Sequence, residues 1–448
     1  MADNNDDHQM DIDTDTTEQE ILLAATNHDL DSLRRLLRTP TGSANVVDSD
    51  TGMTPLHAAI AACESDHEAA NENKHLDADE AAALHTDALE EDDALKTVKF
   101  LLENGAIWND LDNNNETPAC LALRLGLKKC YAAMVEAGVR AELLLSRLDA
   151  FEMLADYQDD SDQDQQVVDG FEIVENPDAE STLHESMVEI DADESVPHLV
   201  GPDESVPGAD SIPDLVQIDE NGQETKVDVN SEDYLASHLT FKGDRLLDAD
   251  KNGVMMSWET DIMQKTVDRL CPKPGLRVLN VGHGMGIIDA IFQSKNVSVH
   301  HIIEAHPDVL ARMRKDGWYE KPGVHIHEGR WQDVVPLLIE QNQVVDAIYF
   351  DTFAEDYKAL KEFFSEYVIG LLDPNGRFGF FNGLGADRQV CYDVYTRVVE
   401  MDLFDAGLDT EFEDIHIPDL DEKGEWEGVR RRYWALDNYR MPTCKFVD

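Results

Sequence analysis

The chain has 448 residues, too many for one hydrophobic core, so at least two ordered domains are expected. Its 94 acids against 36 Lys plus Arg give a formal net charge of −58 at pH 7. Such a surface repels nucleic-acid phosphates and anionic membranes and attracts basic proteins, which argues against direct nucleic-acid or membrane binding and for a basic partner.

The six cysteines, Cys63, Cys120, Cys130, Cys271, Cys391 and Cys444, form no CxxC pair and no His/Cys ligand spacing, so no metal site is expected and a reducing compartment fits. The opening Met1-Ala2-Asp3-Asn4-Asn5-Asp6-Asp7 has neither the basic nor the apolar region of a secretory leader. No run reaches the roughly 18 apolar residues of a membrane span. A cytoplasmic protein with nuclear access, acting as a monomer, is the expectation.

In chain order, residues 1–19 are Asp-, Asn- and Thr-rich and predict an unordered acidic tail, because they bury too little apolar surface to offset the entropy of ordering. Residues 20–150 predict a helical domain. Ile21, Leu22, Leu30, Leu33, Leu36 and Leu37 have the spacing of two short amphipathic helices. Thr54-Pro55-Leu56-His57-Ala58-Ala59 and Thr117-Pro118-Ala119-Cys120-Leu121-Ala122 each open a helix with Thr at the N-cap and Pro in the first turn. Both resemble the ankyrin signature, and Val98–Ala106 resembles an ankyrin second helix and its glycine turn. The two signatures lie 63 residues apart, more than one repeat of about 33, so an acidic insertion is expected near 63–93. His57 is expected to be a hydrogen-bonded turn residue. The ankyrin-like region implies protein–protein contact; an unrelated helical bundle is the alternative.

Residues 151–230 hold 24 acids against the single Lys226 and repeat Asp-Glu-Ser-Val-Pro at 193–197 and 203–207. This predicts an extended, self-repelling acidic linker.

Residues 231–448 carry the chemistry. Leu276-Arg277-Val278-Leu279-Asn280-Val281 predicts a strand, followed by the turn Gly282-His283-Gly284-Met285-Gly286 and a helix from Ile287-Ile288. Glycines there let the backbone approach a ligand at the strand's C-terminal end. Val297–Ile303 predicts the next strand, ending in Glu304, an acid able to accept both ribose hydroxyls of a nucleoside. Dinucleotide enzymes share both features, so the cofactor is open at this point. Three later runs favour S-adenosyl-L-methionine: Val324–Val334 with its polar and aromatic loop, Val344–Thr352 ending at Asp351, and Leu371–Phe381 with its Pro-Asn-Gly turn before a fifth strand.

Met255-Met256-Ser257-Trp258-Glu259-Thr260, Val278–Gly286, Ile303-Glu304, Gly329–Val334 and Tyr349-Phe350-Asp351-Thr352 resemble guanidinoacetate N-methyltransferase. With ankyrin-like helices in front, the chain resembles the fungal protein arginine N-methyltransferase 2 family, type IV enzymes that methylate the internal, δ nitrogen of arginine in a large-subunit ribosomal protein. The resemblance implies an α/β fold: a Rossmann-like seven-stranded class I methyltransferase domain, preceded by an all-α ankyrin-repeat region and an acidic linker.

Carried over residue by residue, it implies that Tyr234, Met263, His283, Gly284, Met285, Gly286, Ile287, Ile288, Glu304, Ala305, His306, Trp331, Gln332 and Asp351 surround the cofactor. Glu304 would hold the ribose, and Trp331 with Gln332 would border the adenine. Core packing is the alternative for Tyr234 and Met263. Asn280 stands where the family often has an acid.

A guanidinium is planar, with a pKa above about 12, and nucleophilic only once a lone pair is localised on one nitrogen. Carboxylates can grip it, orient one nitrogen and accept the released proton. Glu259 and Asp351 are the candidate catalytic pair; the resemblance puts Asp351 at the transferring nitrogen and Glu259 at the far ones. Asn382-Gly383-Leu384-Gly385 is expected either to offer backbone groups to the substrate chain or to be a plain turn, and Arg431–Leu436 to form a late antiparallel strand. A small-guanidine methyltransferase and an ankyrin scaffold with an inactive domain are the competing readings.

Overall fold

The computed structural model describes residues 16–64, 78–160, 217–218, 224–225 and 231–447. The chain divides into a unit of residues Met1–Glu142 with Pro213–Asp448 and a unit of Leu143–Ile212.

The first unit begins with helices α1 (Thr17–Thr26), α2 (Leu30–Leu36), α3 (Pro55–Ala61), α4 (Ala78–Glu103), α5 (Pro118–Arg124) and α6 (Lys128–Asp160), the last of which runs on into the second unit. α1 starts inside the expected tail, and α6 extends into the expected linker. Of the expected insertion, residues 65–77 lie outside the described residues and the following stretch lengthens α4 backward. Most of the expected linker, residues 161–216, also lies outside them, leaving the short ladder of β1 (Gln217–Ile218) and β2 (Glu224–Thr225).

The Thr-Pro signatures act as sequence chemistry predicts. Thr117 caps α5 by accepting the Cys120 N–H at 3.1 Å. Thr54 and His57 bond to each other, Oγ1 to Nδ1 at 2.9 Å, and His57 Nε2 lies 3.0 Å from the Glu116 carbonyl, so His57 ties one helix start to the loop before the next.

The helices rest on the sheet-containing part of the same unit through α14 (Gln389–Asp405). Tyr131 donates to Asp393 at 2.6 Å, and Tyr395 donates to Glu142 at 3.0 Å. A side chain at Gly138 would stand 2.7 Å from Val394 Cγ2, so a residue without Cβ permits this approach.

Beyond α7 (Ser231–Ala236), strands β3 (Thr240–Lys242), β4 (Arg245–Leu247) and β5 (Gly253–Met256) form a small antiparallel sheet. The main sheet has seven strands in the order β11 (Leu408–His416), β12 (Asn438–Phe446), β10 (Leu372–Phe380), β9 (Val345–Phe350), β6 (Arg277–Val281), β7 (Val299–Glu304) and β8 (Val324–Glu328). It is parallel except for β12, which pairs antiparallel with both β10 and β11.

Side-chain alternation along the central strands makes two cores. Leu279, Val281, Ile348 and Phe350 pack with α11 (Trp331–Glu340), α12 (Tyr357–Glu362) and α13 (Val368–Leu371). Val278, Ala347 and Tyr349 pack with α8 (Thr260–Leu270) and α9 (Ile287–Ser294) on the other face. The strand order reverses between β6 and β9, and the crevice at their C-terminal ends is where this class of fold binds ligands.

Candidate active site

β6 delivers the glycine turn to that crevice. Gly282 has φ +93°, and a Cβ there would lie 1.9 Å from the Asp351 carbonyl oxygen. Glycine therefore lets β9 end against the turn, where the Asp351 N–H donates to the Val281 carbonyl at 2.9 Å. Gly286, at φ +75°, makes room for the His283 ring, whose Nε2 would be 2.7 Å from a Cβ.

Beneath the turn is a buried polar node. Asp289, fully buried in the first turn of α9, lies 2.6 Å from His283 Nδ1 and 2.9 Å from His300 Nε2, and Asn280 Nδ2 reaches both its oxygens at 2.9 Å. Burial alone would raise the Asp289 pKa, yet the two histidines hold it down at about 2. The acid absent from position 280 is thus supplied by the next helix. Sequence reasoning missed Asp289; its signal was an acid inside the apolar run Ile287-Ile288-Asp289-Ala290-Ile291-Phe292.

Glu304 is buried at the end of β7. Its Oε2 accepts the His283 N–H at 2.9 Å and its Oε1 accepts the His306 N–H at 2.7 Å, which fixes the carboxylate at the mouth of the crevice. His306 also caps α10 (Pro307–Lys315) and places Nε2 3.0 Å from the Tyr234 carbonyl. The Tyr234 ring lies 4.8 Å from His306 and 4.9 Å from Phe353. Burial, then the charges of Glu304, Asp248 and Asp351, push the Tyr234 phenol well up, as expected for a hydroxyl inside the crevice. The Met285 N–H meets only the Met255 sulfur, at 3.3 Å, a weak acceptor. Ala305 is half-buried beside Glu304.

Other candidates serve the framework. Met263 and Ile288 are fully buried in the core behind the turn, with Met285 and Ile287 packed against it. The Trp331 ring sits edge-on to Phe350, Phe363 and Tyr367, and its Nε1 donates to Glu355 at 3.0 Å. Trp331 is thus core, whereas neighbouring Gln332 keeps a buried Oε1 without a hydrogen-bond partner.

Glu259 immediately precedes α8 and Asp351 immediately follows β9, and the Asp351 charge acts on Glu259. Glu259 is buried, and its Oε1 accepts the Met256 N–H at 2.9 Å and the Tyr433 hydroxyl. Asp351 as a residue is half-buried, but its Oδ2 is shielded from solvent and lacks a hydrogen-bond partner. The Tyr349 hydroxyl lowers its proton affinity without completing a well-aligned bond. Burial pushes both carboxyl pKa values up, and the Asp351 charge pushes Glu259 further. Among the described residues no Lys or Arg offsets either charge. The site therefore carries an unmet demand for a buried cation.

Asn382 and residues 431–436 differ from expectation. Asn382 is fully buried, its N–H already donated to Tyr439 at 3.0 Å, so it has no free backbone donor for a substrate. Arg431–Leu436 is not a strand; β12 begins at Asn438, and the preceding segment is tied to Gly253 and Ala386 by single backbone bonds. Tyr433, within that segment, is the second residue sequence reasoning missed.

The guanidinoacetate N-methyltransferase family model matches residues 228–424. Among solved structures, a putative S-adenosylmethionine-dependent methyltransferase from Listeria monocytogenes aligns at 13% identity over 43% of this chain and 98% of its own, with TM-score 0.33. "Protein arginine N-methyltransferase 2" of Aspergillus fumigatus is 52% identical over 97% of both chains, and that of Emericella nidulans 52% identical over 98% of both. The chain belongs to the protein arginine N-methyltransferase 2 family. It is a methyltransferase with a class I Rossmann-like domain, and S-adenosyl-L-methionine is its cofactor. The crevice fits that cofactor: the Glu304 carboxylate is fixed at its mouth, the Met285 N–H lacks a strong acceptor, and Gln332 Oε1 lacks a donor.

Proposed function

We propose that the protein transfers one methyl group to the internal, δ nitrogen of an arginine in a basic protein, a type IV activity, with a large-subunit ribosomal protein as the substrate. The observation that carries this reading is the pair Glu259 and Asp351, two shielded carboxylates with no cation of their own. A guanidinium supplies that cation and takes hydrogen bonds from neither, donating to both.

S-adenosyl-L-methionine supplies the electrophilic methyl. Glu259 holds the far guanidino nitrogens and Asp351 the transferring one. With the cofactor bound, the nitrogen lone pair would take the methyl as the C–S electron pair returned to sulfur, and Asp351 would accept the N–H proton. Orientation and charge complementarity carry the rate, because Glu259 is fixed by two hydrogen bonds before the acceptor arrives. An arginine δ nitrogen bears a single hydrogen beside the chain carbon, so one transfer exhausts it.

The net charge of −58 supports a basic protein partner. The Thr-Pro capped helices support an ankyrin-type docking module, which a small-molecule enzyme does not need. No described helix is long and apolar enough to cross a membrane, and a cytoplasmic and nuclear enzyme is the reading carried forward. The test compares labelled methyl transfer to a ribosomal protein fraction and to free guanidinoacetate. Transfer to protein alone is expected; comparable turnover of guanidinoacetate would replace this reading with the small-molecule one.

A further inference from the structure

The acceptor site is completed by a segment remote from every motif of the glycine turn. Residues 429–434 are pinned to the start of β5 by two backbone bonds, Arg430 N–H to the Lys251 carbonyl at 2.9 Å and Gly253 N–H to the Arg431 carbonyl at 3.3 Å. Gly253 is the residue that admits the Tyr433 ring, since a Cβ there would lie 3.0 Å from Tyr433 Cε1. The ring is stacked on Trp258, centroids 6.0 Å apart at 25°, and Trp426 stands edge-on to it at 5.1 Å. Ring motion is therefore blocked on three sides. The hydroxyl meets Glu259 Oε1, the same oxygen that accepts the Met256 N–H.

Both fixed bonds fall on one carboxylate oxygen. We infer that Tyr433 is the positioning residue of the acceptor site: it engages Oε1 of Glu259 so that Oε2 is presented, in one orientation, to the acceptor guanidinium. This rests on the guanidino reading above. Tyr433 lies outside residues 228–424, so the matched family region does not include it. The donated bond also lowers the proton affinity of Glu259, which burial raises. Tyr433 thus helps keep Glu259 ionised when the cation arrives.

The test uses the full chain with Tyr433→Phe and, as a second variant that keeps the hydroxyl but displaces the ring, Gly253→Ala. Steady-state transfer is measured with an arginine-rich ribosomal protein fraction, cofactor affinity by calorimetry, and thermal stability across pH without acceptor. For Tyr433→Phe, KM for the acceptor is expected to rise about tenfold or more, as for loss of a hydrogen bond to a charged group. Cofactor affinity should stay within about twofold, and the acid limb of kcat/KM should move to higher pH. The fall in melting temperature with rising pH starts where the unfolded carboxyl ionises and ends where Glu259 ionises in the fold, so in the variant it should continue to higher pH. Gly253→Ala should shift KM in the same direction, and serves alone if Tyr433→Phe does not fold.

Unchanged KM and superposable pH profiles in both variants would overturn the inference. A wild-type protein that transfers nothing to arginine would instead overturn the guanidino reading, while the acceptor-free melts still decide the link between Tyr433 and Glu259.

Discussion

Asn280 points its amide at Asp289, with Nδ2 at 2.9 Å from both carboxylate oxygens, and both side chains are fully buried. The pair supports the glycine turn, because the same Nδ2 also reaches the Gly282 carbonyl at 2.8 Å and Asp289 holds His283. Asp289→Asn should cost roughly 3 kcal/mol or more of stability, as when one partner of a buried ionic group is lost. It should also weaken S-adenosyl-L-methionine binding measured by calorimetry. Exchanging the two, Asn280→Asp with Asp289→Asn, should recover part of the loss. Asp289 is held below its ordinary range, so its contribution is complete above about pH 4 and disappears as pH falls toward about 2.

Gly282→Ala forces a Cβ to within 1.9 Å of the Asp351 carbonyl and strains a backbone at φ +93°. β9 must withdraw from the turn, taking Asp351 with it. Methyl transfer should fall at least about a hundredfold, since displacements of about 1 Å have that effect. A single-turnover assay with saturating cofactor measures it.

The acceptor-free protein should lose stability as pH rises above the ordinary carboxylate range. Glu259 and Asp351 are raised in the folded chain, so over that window the folded state binds more protons than the unfolded one and stability declines with pH. A bound guanidinium favours the ionised pair and should flatten the decline, while kcat/KM rises over the same window. Melting curves from about pH 5 to 9, with and without an arginine peptide, check both signs.

Contact between the helical region and α14 should be part of the folding unit. Tyr131→Phe removes one of three partners of Asp393, which keeps Arg440 at 2.7 Å and Gln389 at 2.9 Å, and should cost only about 1 kcal/mol. Gly138→Leu should cost more, because the space is already filled by Val394 and Trp108. Denaturant titration of both variants ranks them.

Elements whose signal is local were legible in the sequence: Thr-Pro caps, the apolar, β-branched runs of β6, β7 and β9, and the acids at strand ends, Glu304 and Asp351. Residues whose role depends on distant pairing were not. Tyr433 meets Glu259 across 174 residues, and Arg431–Leu436 has the composition of a strand although its backbone bonds go to Gly253 and to Ala386. Asp289 looked like an ordinary first-turn helix acid; only the crossing of α9 over β6 and β7 buries it between two histidines. The packing of Trp331 among Phe350, Phe363 and Tyr367 was not legible either, since it joins residues from three separate segments.

The central claim is methyl transfer to an internal guanidino nitrogen held by Glu259 and Asp351. The most direct measurement incubates wild type and Asp351→Asn with labelled S-adenosyl-L-methionine and ribosomal proteins, then locates the label by fragmentation mass spectrometry. The account predicts label on the arginine δ nitrogen with wild type, and loss of transfer with most cofactor affinity retained in Asp351→Asn. Label confined to terminal guanidino nitrogens, or undiminished transfer by Asp351→Asn, would contradict it.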